Sequence, residues 1–66
     1  MRETTQALAF VRKELEKLAQ EQNQFLASGR AESFDEYKKI CGVIRGLSLA
    51  DQVVNDLVHK LEHSDD

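Results

Sequence analysis

Proline, the residue that most often breaks a helix, is absent from this 66-residue sequence. Sustained alternation of apolar and polar residues, which is the pattern of a half-buried strand, is absent as well. Helix-forming residues dominate instead, and the apolar residues recur every three or four positions. These features predict an all-α protein.

Cysteine occurs once, at Cys41, so no disulfide can form within the chain. We expect a reduced thiol in an intracellular protein, the alternative being a Cys41 pair across a dimer. Chains below about 70–80 residues rarely gain more than a few kcal/mol from their own core and usually need a disulfide, a metal or a partner. The short chain therefore favours a partner.

Long apolar runs are also missing. No stretch approaches the roughly 20 residues that span a bilayer, and the segment MRETTQALAF lacks the apolar core and cleavage site of a secretory signal. Nine basic and twelve acidic residues are interspersed, which gives a formal net charge of −3. Such a balance does not attract nucleic-acid phosphates over a broad surface. We expect a soluble protein that binds no membrane and has no nucleic acid as its main partner.

The first apolar stripe predicts a helix from about Thr4 to Ala27. Steps of three and four residues alternate along it, which is the a/d spacing of a coiled coil broken once by a glutamine. The members of the stripe are Leu8, Val11, Leu15, Leu18, Gln22 and Phe25. Charged residues, Arg12 and Glu16 among them, cover much of the other side.

Residues 28–33 combine a stop signal with a start signal. Gly29 follows the last apolar position, where a left-handed residue is preferred after a helix. Ser33 and Glu36 fit a capping box, in which the Ser33 hydroxyl accepts from the amide of residue 36 and the Glu36 carboxylate from the amide of residue 33. A connection this short predicts that the two helices lie antiparallel.

The second helix is predicted from Phe34 to about His63. Its most regular apolar stripe consists of Ile40, Val43, Leu47, Ala50, Val54, Leu57 and Leu61. Flanking this stripe are Tyr37, Ile44 and Val58 on one side and Val53 on the other. The whole chain, residues 1–66, is thus predicted to be one antiparallel two-helix hairpin with coiled-coil-like packing.

Two glycines stand four residues apart inside the second helix, at Gly42 and Gly46. Each costs about 1 kcal/mol relative to alanine in a helix interior. With Ala50 they form a strip poor in side chains, which lets another helix approach closely. A kink is the alternative, but the unbroken apolar periodicity favours close packing. Helix 1 of the same chain and a helix of a partner are both candidates for filling the strip.

The apolar stripe of helix 2 is wider than a single antiparallel neighbour can cover. The excess predicts that the hairpin is completed by self-association or by docking on a larger protein, as a homo-oligomer or as part of a symmetric assembly. The predicted protein interface comprises Gly42, Val43, Ile44, Gly46, Leu47, Ala50, Val53, Val54, Leu57 and Val58.

Few residues suggest chemistry. His59 and His63 are one helical turn apart and can share a zinc ion, with Asp56 as a third ligand. The metalloprotease pattern requires glutamate after the first histidine, whereas residue 60 is lysine, so we favour a solvated helix end. Cys41 has no activating base nearby in sequence and is interpreted as a small apolar side chain. We assign no catalytic, cofactor-binding or metal-binding residue and predict a non-enzymatic protein.

Residues 34–62, FDEYKKICGVIRGLSLADQVVNDLVHKLE, resemble small proteins encoded by tailed bacteriophages, chiefly short-tailed ones. Helix 1 is less distinctive and matches through ALAFVRKELEKL. The matching positions are Phe34, Glu36, Tyr37, Cys41, Gly42, Gly46, Leu47 and Ala50. The resemblance implies a phage-encoded chain expressed in a bacterial cytoplasm and suggests a place in the virion or in its assembly. It implies no catalytic residue.

Two functions of different kinds fit these features. The first is a virion or assembly component that repeats around the portal, the head–tail junction or the capsid. The second is a small regulator that binds and modulates a host protein, with which the acidic balance and small size are compatible.

Overall fold

The computed structural model describes residues 2–63 and contains two α-helices packed against each other as a helical hairpin. Helix α1 spans Arg2–Ala27 and helix α2 spans Phe34–His63. The all-α prediction is confirmed. Helix α2 has the bounds that the sequence indicates, and α1 begins two residues earlier than expected, at Arg2. Met1 and residues 64–66 lie outside the described part of the chain.

The turn forms from local signals at the end of α1. Gly29 has a φ of 75°, a left-handed conformation that glycine adopts without the steric cost of a Cβ atom. Its amide donates to the Leu26 carbonyl at 3.1 Å, and the Ser28 amide donates to the Gln24 carbonyl at 3.0 Å. These bonds occupy carbonyls that the helix end would otherwise leave without partners. The predicted role of Gly29 is confirmed.

Ser33 caps the start of α2. The Glu36 amide donates to the Ser33 hydroxyl at 3.1 Å, as the capping-box pattern predicts. The reciprocal bond differs from the prediction, because the Glu36 carboxylate accepts from the amide of Glu32, at 3.2 Å, and not from that of Ser33. The backbone just before the cap therefore places the amide of residue 32 closest to the carboxylate. The carboxylates of Asp35 and Glu36 also lie in the first turn, where the helix dipole favours negative charge.

Replacing the capping hydroxyl tests how much this helix start contributes to stability. We expect Ser33→Ala to lower the free energy of unfolding by about 1 kcal/mol, because the Glu36 amide loses its acceptor. Urea denaturation followed by circular dichroism at fixed chain concentration measures the change. Ser48→Ala is the matched control, since Ser48 is exposed within α2 and its replacement should be neutral or slightly stabilising.

The contact between the helices uses a different pair of stripes from those predicted. Half-buried positions follow a heptad spacing along each helix, so these stripes face the neighbouring helix. In α1 they are Thr5, Leu8, Arg12, Leu15, Ala19, Gln22 and Leu26, and the predicted contact residue Phe25 is half-buried beside them. In α2 they are Ile44, Leu47, Asp51, Val54, Val58 and Leu61, together with the buried Ile40.

Four predicted contact residues are therefore wrong for the contact within the chain. Val11 and Leu18 of α1 are 40% and 45% exposed, and Val43 and Leu57 of α2 are 44% and 43% exposed. Each lies one step around the helix from the observed stripe. The apolar surface of each helix is wider than one stripe, and a single neighbouring helix covers only one of the adjacent stripes. The other stripe remains outside the hairpin.

One ion pair joins the two helices within the described residues. Arg12 Nε donates to Asp51 Oδ1 at 2.9 Å, and Nη2 lies 3.4 Å from Oδ2, so the guanidinium contacts both carboxylate oxygens. The hydrogen bond to Asp51 raises the pKa of Arg12 above its ordinary value, desolvation opposes it, and the charges of Asp51 and Glu16 add to it. Arg12 was predicted to lie on the outer surface, and its pairing corrects that prediction.

The ion pair should stabilise the observed alignment of the two helices along their lengths. We expect Arg12→Glu to destabilise the hairpin by placing like charges together, and the swapped variant Arg12→Glu with Asp51→Arg to recover most of the loss. Thermal unfolding of both single variants and of the swap, at low and high salt, measures this coupling. Because both side chains are more than a third exposed, the coupling should shrink as salt rises. A swap that is no more stable than the single variants would contradict the pairing.

The hairpin buries very little. Ile40 is the one buried side chain between residues 2 and 63, at 9% exposure. The Cα radius of gyration is 15.3 Å, whereas a compact domain of this length would have one of about 11 Å. The Cα trace measures 51 × 15 × 11 Å, the dimensions of one layer of two helices. A single layer has no second layer against which to bury its faces, although stable domains are built from at least two.

Candidate protein interface

One side of the hairpin carries most of its exposed large aliphatic side chains. Val11, Leu18, Val43, Val53 and Leu57 are all at least 40% exposed. Val11 and Leu18 lie on one flank of the contact stripe of α1. Val43, Val53 and Leu57 lie on the flank of the α2 contact stripe that is on the same side of the antiparallel pair. We define the apolar face as Ala7, Val11, Leu18, Val43, Gly46, Ala50, Val53 and Leu57.

The other side of the hairpin combines polar and apolar side chains, with Leu15, Ala19 and Leu47 among the apolar ones. A groove of about 540 Å³ runs between the helices there, with Lys13, Glu16 and Asn23 on α1 and Ser48 and Asp51 on α2. The Arg12–Asp51 ion pair lies in this groove. The groove side therefore carries the ion pair between the helices, whereas the exposed Val11, Leu18, Val43 and Leu57 lie on the other side.

The glycine strip lies along the outer edge of the apolar face, with Gly46 in the face and Gly42 one step beyond it, in the heptad position of Leu49. Gly42 and Gly46 are exposed, and a Cβ atom added to either would meet no atom within 4 Å. Helix α1 of the same chain therefore does not fill the strip, which answers the question that the sequence left open. Helix α2 also continues without interruption through both glycines. The stability cost of two helical glycines thus has no compensating contact within the hairpin.

The structure divides the predicted interface residues into two groups. Ile44, Leu47, Val54 and Val58 are half-buried on the stripe that faces α1, so their side chains already contact their own chain. The residues on the flank toward the apolar face are Val43, Gly46, Val53 and Leu57, all exposed, and the half-buried Ala50; the exposed Gly42 lies one step beyond them. The part of α2 that is available to a partner is therefore narrower than predicted.

Helix α1 contributes residues that the sequence reasoning did not place in the interface. Val11 and Leu18 extend the apolar face onto α1, and Ala7 continues it toward the end of the hairpin opposite the turn. The seven-residue spacing between Val11 and Leu18 indicates an apolar stripe on α1. From the sequence, this stripe was predicted to face the other helix of the same chain.

Charged residues of opposite sign border the apolar face on its two outer edges. Glu14 and Glu21 of α1 are exposed and lie one step further around the helix than Val11 and Leu18, in the same heptad position as Ala7. On α2, Lys39 and Lys60 occupy the corresponding edge and are exposed as well. One edge of the face is therefore acidic and the other carries two lysines.

The remaining exposed apolar residues lie elsewhere. Phe10 and Leu49, at 63% and 55% exposure, point away from the apolar face and are isolated single residues, which are common on protein surfaces. Phe34 and Tyr37 stack at a centroid distance of 6.5 Å beside the turn, and the Lys38 ammonium lies 5.5 Å from the Phe34 ring centre. These three side chains cover one another and are separate from the apolar face.

The side chains considered for chemistry are not brought together by the fold. The His59 and His63 rings stack with their centres 6.2 Å apart, and no group of three potential metal ligands occurs among residues 2–63. Cys41 is half-buried and unpaired. Lys38, Lys39 and Arg45, a basic cluster in sequence, are all exposed on α2.

Neither of the two described helices is long and apolar enough to cross a membrane. No protein-family model, curated protein or solved structure matches the chain. The fold itself defines the class of the protein, which is an amphipathic helical hairpin with one exposed apolar face.

Proposed function

We propose that the chain is a non-enzymatic interaction module that works by binding a protein through its apolar face. The observation that carries this proposal is the exposure of Val11, Leu18, Val43 and Leu57 on a single side of a hairpin that buries only Ile40 among its described residues. Covering apolar surface is favourable by about 25 cal/mol per Å². An unpartnered face of this kind is characteristic of interaction sites.

The setting we propose is a bacteriophage particle or its assembly. The resemblance of residues 34–62 to small phage proteins supports this setting. A hairpin 51 Å long and one layer thick can line a portal, a head–tail junction or a capsid surface without changing the underlying architecture. The chain would be made in the bacterial cytoplasm and then enter the virion.

Mass spectrometry of purified particles of the encoding phage tests the setting. We expect the chain at a fixed copy number relative to a major structural protein. Its absence from the particles would contradict the virion role and would favour the alternative, a regulator that binds a host protein in the cytoplasm.

A matched pair of variants links particle entry to the apolar face. Leu18→Glu places a charge in the face and should remove the chain from the particles. Leu49→Glu introduces the same change at an exposed position away from the face and should leave incorporation unchanged. Equal incorporation of both variants would contradict a role for the face.

A further inference from the structure

We infer that the apolar face is covered by a second copy of this chain, with α1 of each protomer lying antiparallel on α2 of its partner in a four-helix bundle. This inference rests on the proposed function, because it names the partner that the apolar face first binds. Three observations carry it: the size of the surface surplus, the distribution of charge at the edges of the face, and the match of large to small residues.

The surface surplus has the size that one further copy removes. The accessible surface of the chain is 5383 Å². A compact monomer of 7.5 kDa would expose about 4,200 Å². The surplus is about 1,200 Å², and a standard protein interface buries about 800 Å² on each partner. Pairing with one equal hairpin therefore converts the single layer into a two-layer bundle of ordinary compactness.

The edge charges select one of the two ways in which the hairpins can pair. A two-fold axis perpendicular to the helices would place α1 on α1, setting Glu14 and Glu21 of one chain along the acidic edge of the other. A two-fold axis parallel to the helices places α1 on the partner's α2, so the acidic edge meets the edge that carries Lys39 and Lys60. Opposite charges at such edge positions specify partners and orientation in helical bundles.

The Arg12–Asp51 pair gives the relative height of residues along the hairpin. Because the helices are antiparallel, counting forward from Arg12 corresponds to counting backward from Asp51. Glu21 is then level with Gly42, since each lies nine residues from its member of the pair. A two-fold axis parallel to the helices preserves these heights between the two chains.

The same count places Lys39 three residues away from the height of Glu21. At 1.5 Å per residue this offset is about 4.5 Å, which the two long side chains can span. Two acidic residues, Asp35 and Asp56, also lie near this edge of α2. Asp35 is level with residue 28, past the end of α1, and Asp56 is level with the uncharged Ala7, so neither is level with Glu14 or Glu21.

Large residues of α1 then meet small residues of α2 across the bundle. Leu18 is level with residue 45 and points at the exposed Gly46 of the other chain, where no atom lies within 4 Å of the added Cβ position. At the opposite end Ala7 is level with residue 56 and meets the exposed Leu57. This alternation of large and small residues is what lets two layers interdigitate without voids. The glycine strip of one chain therefore leaves the space that the Leu18 side chain of the other chain fills.

Disulfide trapping tests the arrangement in the full chain. In a Cys41→Ser background, a Leu18→Cys chain mixed with a differently sized, tagged Gly46→Cys chain should form a mixed disulfide dimer under mild oxidation. Arg45→Cys replaces Gly46→Cys in the control, because Arg45 has almost the same height but lies on the outer side of α2. Its yield with Leu18→Cys should be at least about fivefold lower, since a disulfide requires Cα atoms within about 7 Å.

Charge reversal provides an independent readout that needs no cysteine. Glu21→Lys and Lys39→Glu should each raise the dimer Kd by about three- to tenfold at low salt, and the double reversal should restore it to within about twofold. Circular dichroism of each variant establishes that its helices are intact. Additive effects of the two reversals would overturn the pairing of α1 with the partner's α2.

The remaining outcomes are equally decisive. A Leu18→Cys chain that cross-links to itself, with no product from the mixed pair, would overturn this arrangement in favour of α1 on α1. A wild-type chain that sediments as a folded monomer would overturn the second copy as partner. Neither result tests the proposed function. That function is tested by the presence of the chain in particles and by the comparison of Leu18→Glu with Leu49→Glu.

Discussion

Gly46→Leu should weaken association of the hairpin by roughly five- to 150-fold. Overpacking a closed contact costs about 1–3 kcal/mol, and about 1.4 kcal/mol corresponds to a factor of ten in Kd. The same change should stabilise the helix itself by about 1 kcal/mol, because leucine is a far better helix former than glycine. Nothing within the chain opposes the larger side chain, since the Cβ position meets no atom within 4 Å. The two effects therefore have opposite signs.

Analytical ultracentrifugation measures the first effect, and circular dichroism of dilute samples measures the second. Gly46→Ala is the graded control, because a single methyl group should weaken association less while supplying most of the helix propensity. Leu49→Ala is the positional control, since Leu49 lies away from the apolar face. Association that is unchanged or stronger in Gly46→Leu would show that the glycine strip is not a contact.

Ile40→Ala should have the largest effect on folding of any single truncation. Ile40 is the one buried side chain among residues 2–63, and removing three methyl or methylene groups from a buried site costs about 2–5 kcal/mol. We expect a value of about 2 kcal/mol, because the site lies near the turn and the neighbouring side chains are only half-buried. A hairpin of this size has little stability beyond that amount.

Urea denaturation at one fixed chain concentration gives the comparison, since the stability of an associating protein depends on its concentration. Leu49→Ala is a comparable truncation at an exposed site and should change the free energy of unfolding by less than about 0.5 kcal/mol. Equal losses for Ile40→Ala and Leu49→Ala would mean that the packing around Ile40 contributes nothing particular to stability.

The ends of the helices could be predicted from the sequence because they depend on local chemistry. Gly29 adopts a left-handed conformation and Ser33 caps α2 through bonds that span only three residues. Neither signal requires knowledge of the rest of the fold. The detail that failed, the Glu36 bond to the amide of Glu32, depends on the backbone path before the cap, which the capping pattern does not specify.

The choice between adjacent apolar stripes could not be predicted in the same way. Val43 and Ile44 are both apolar and neighbours in sequence, as are Leu57 and Val58, so helical periodicity fits either stripe equally well. The choice depends on contacts between residues far apart in sequence. Arg12 and Asp51, separated by 39 positions, form an ion pair only when Ile44 and Val58 face α1.

This choice is also what defines the candidate interface. The sequence predicted an excess of apolar surface on α2 and located it around Gly42, Gly46 and Ala50. It could not assign Val11 and Leu18 to the same surface, because the matching flank of α1 is known only once the helices are paired. Both helices contribute to one continuous face, so the exposed apolar side chains form one surface and not two separate stripes.

The need for a second layer is tested most directly by the mass of the isolated chain in solution, measured as a function of concentration. Sedimentation equilibrium with parallel circular dichroism should show twice the mass of one chain wherever the helices are fully formed, with helicity falling as the dimer dissociates on dilution. A chain that keeps full helicity and unfolds cooperatively as a single-chain species at every concentration would contradict the claim that the hairpin needs a second layer.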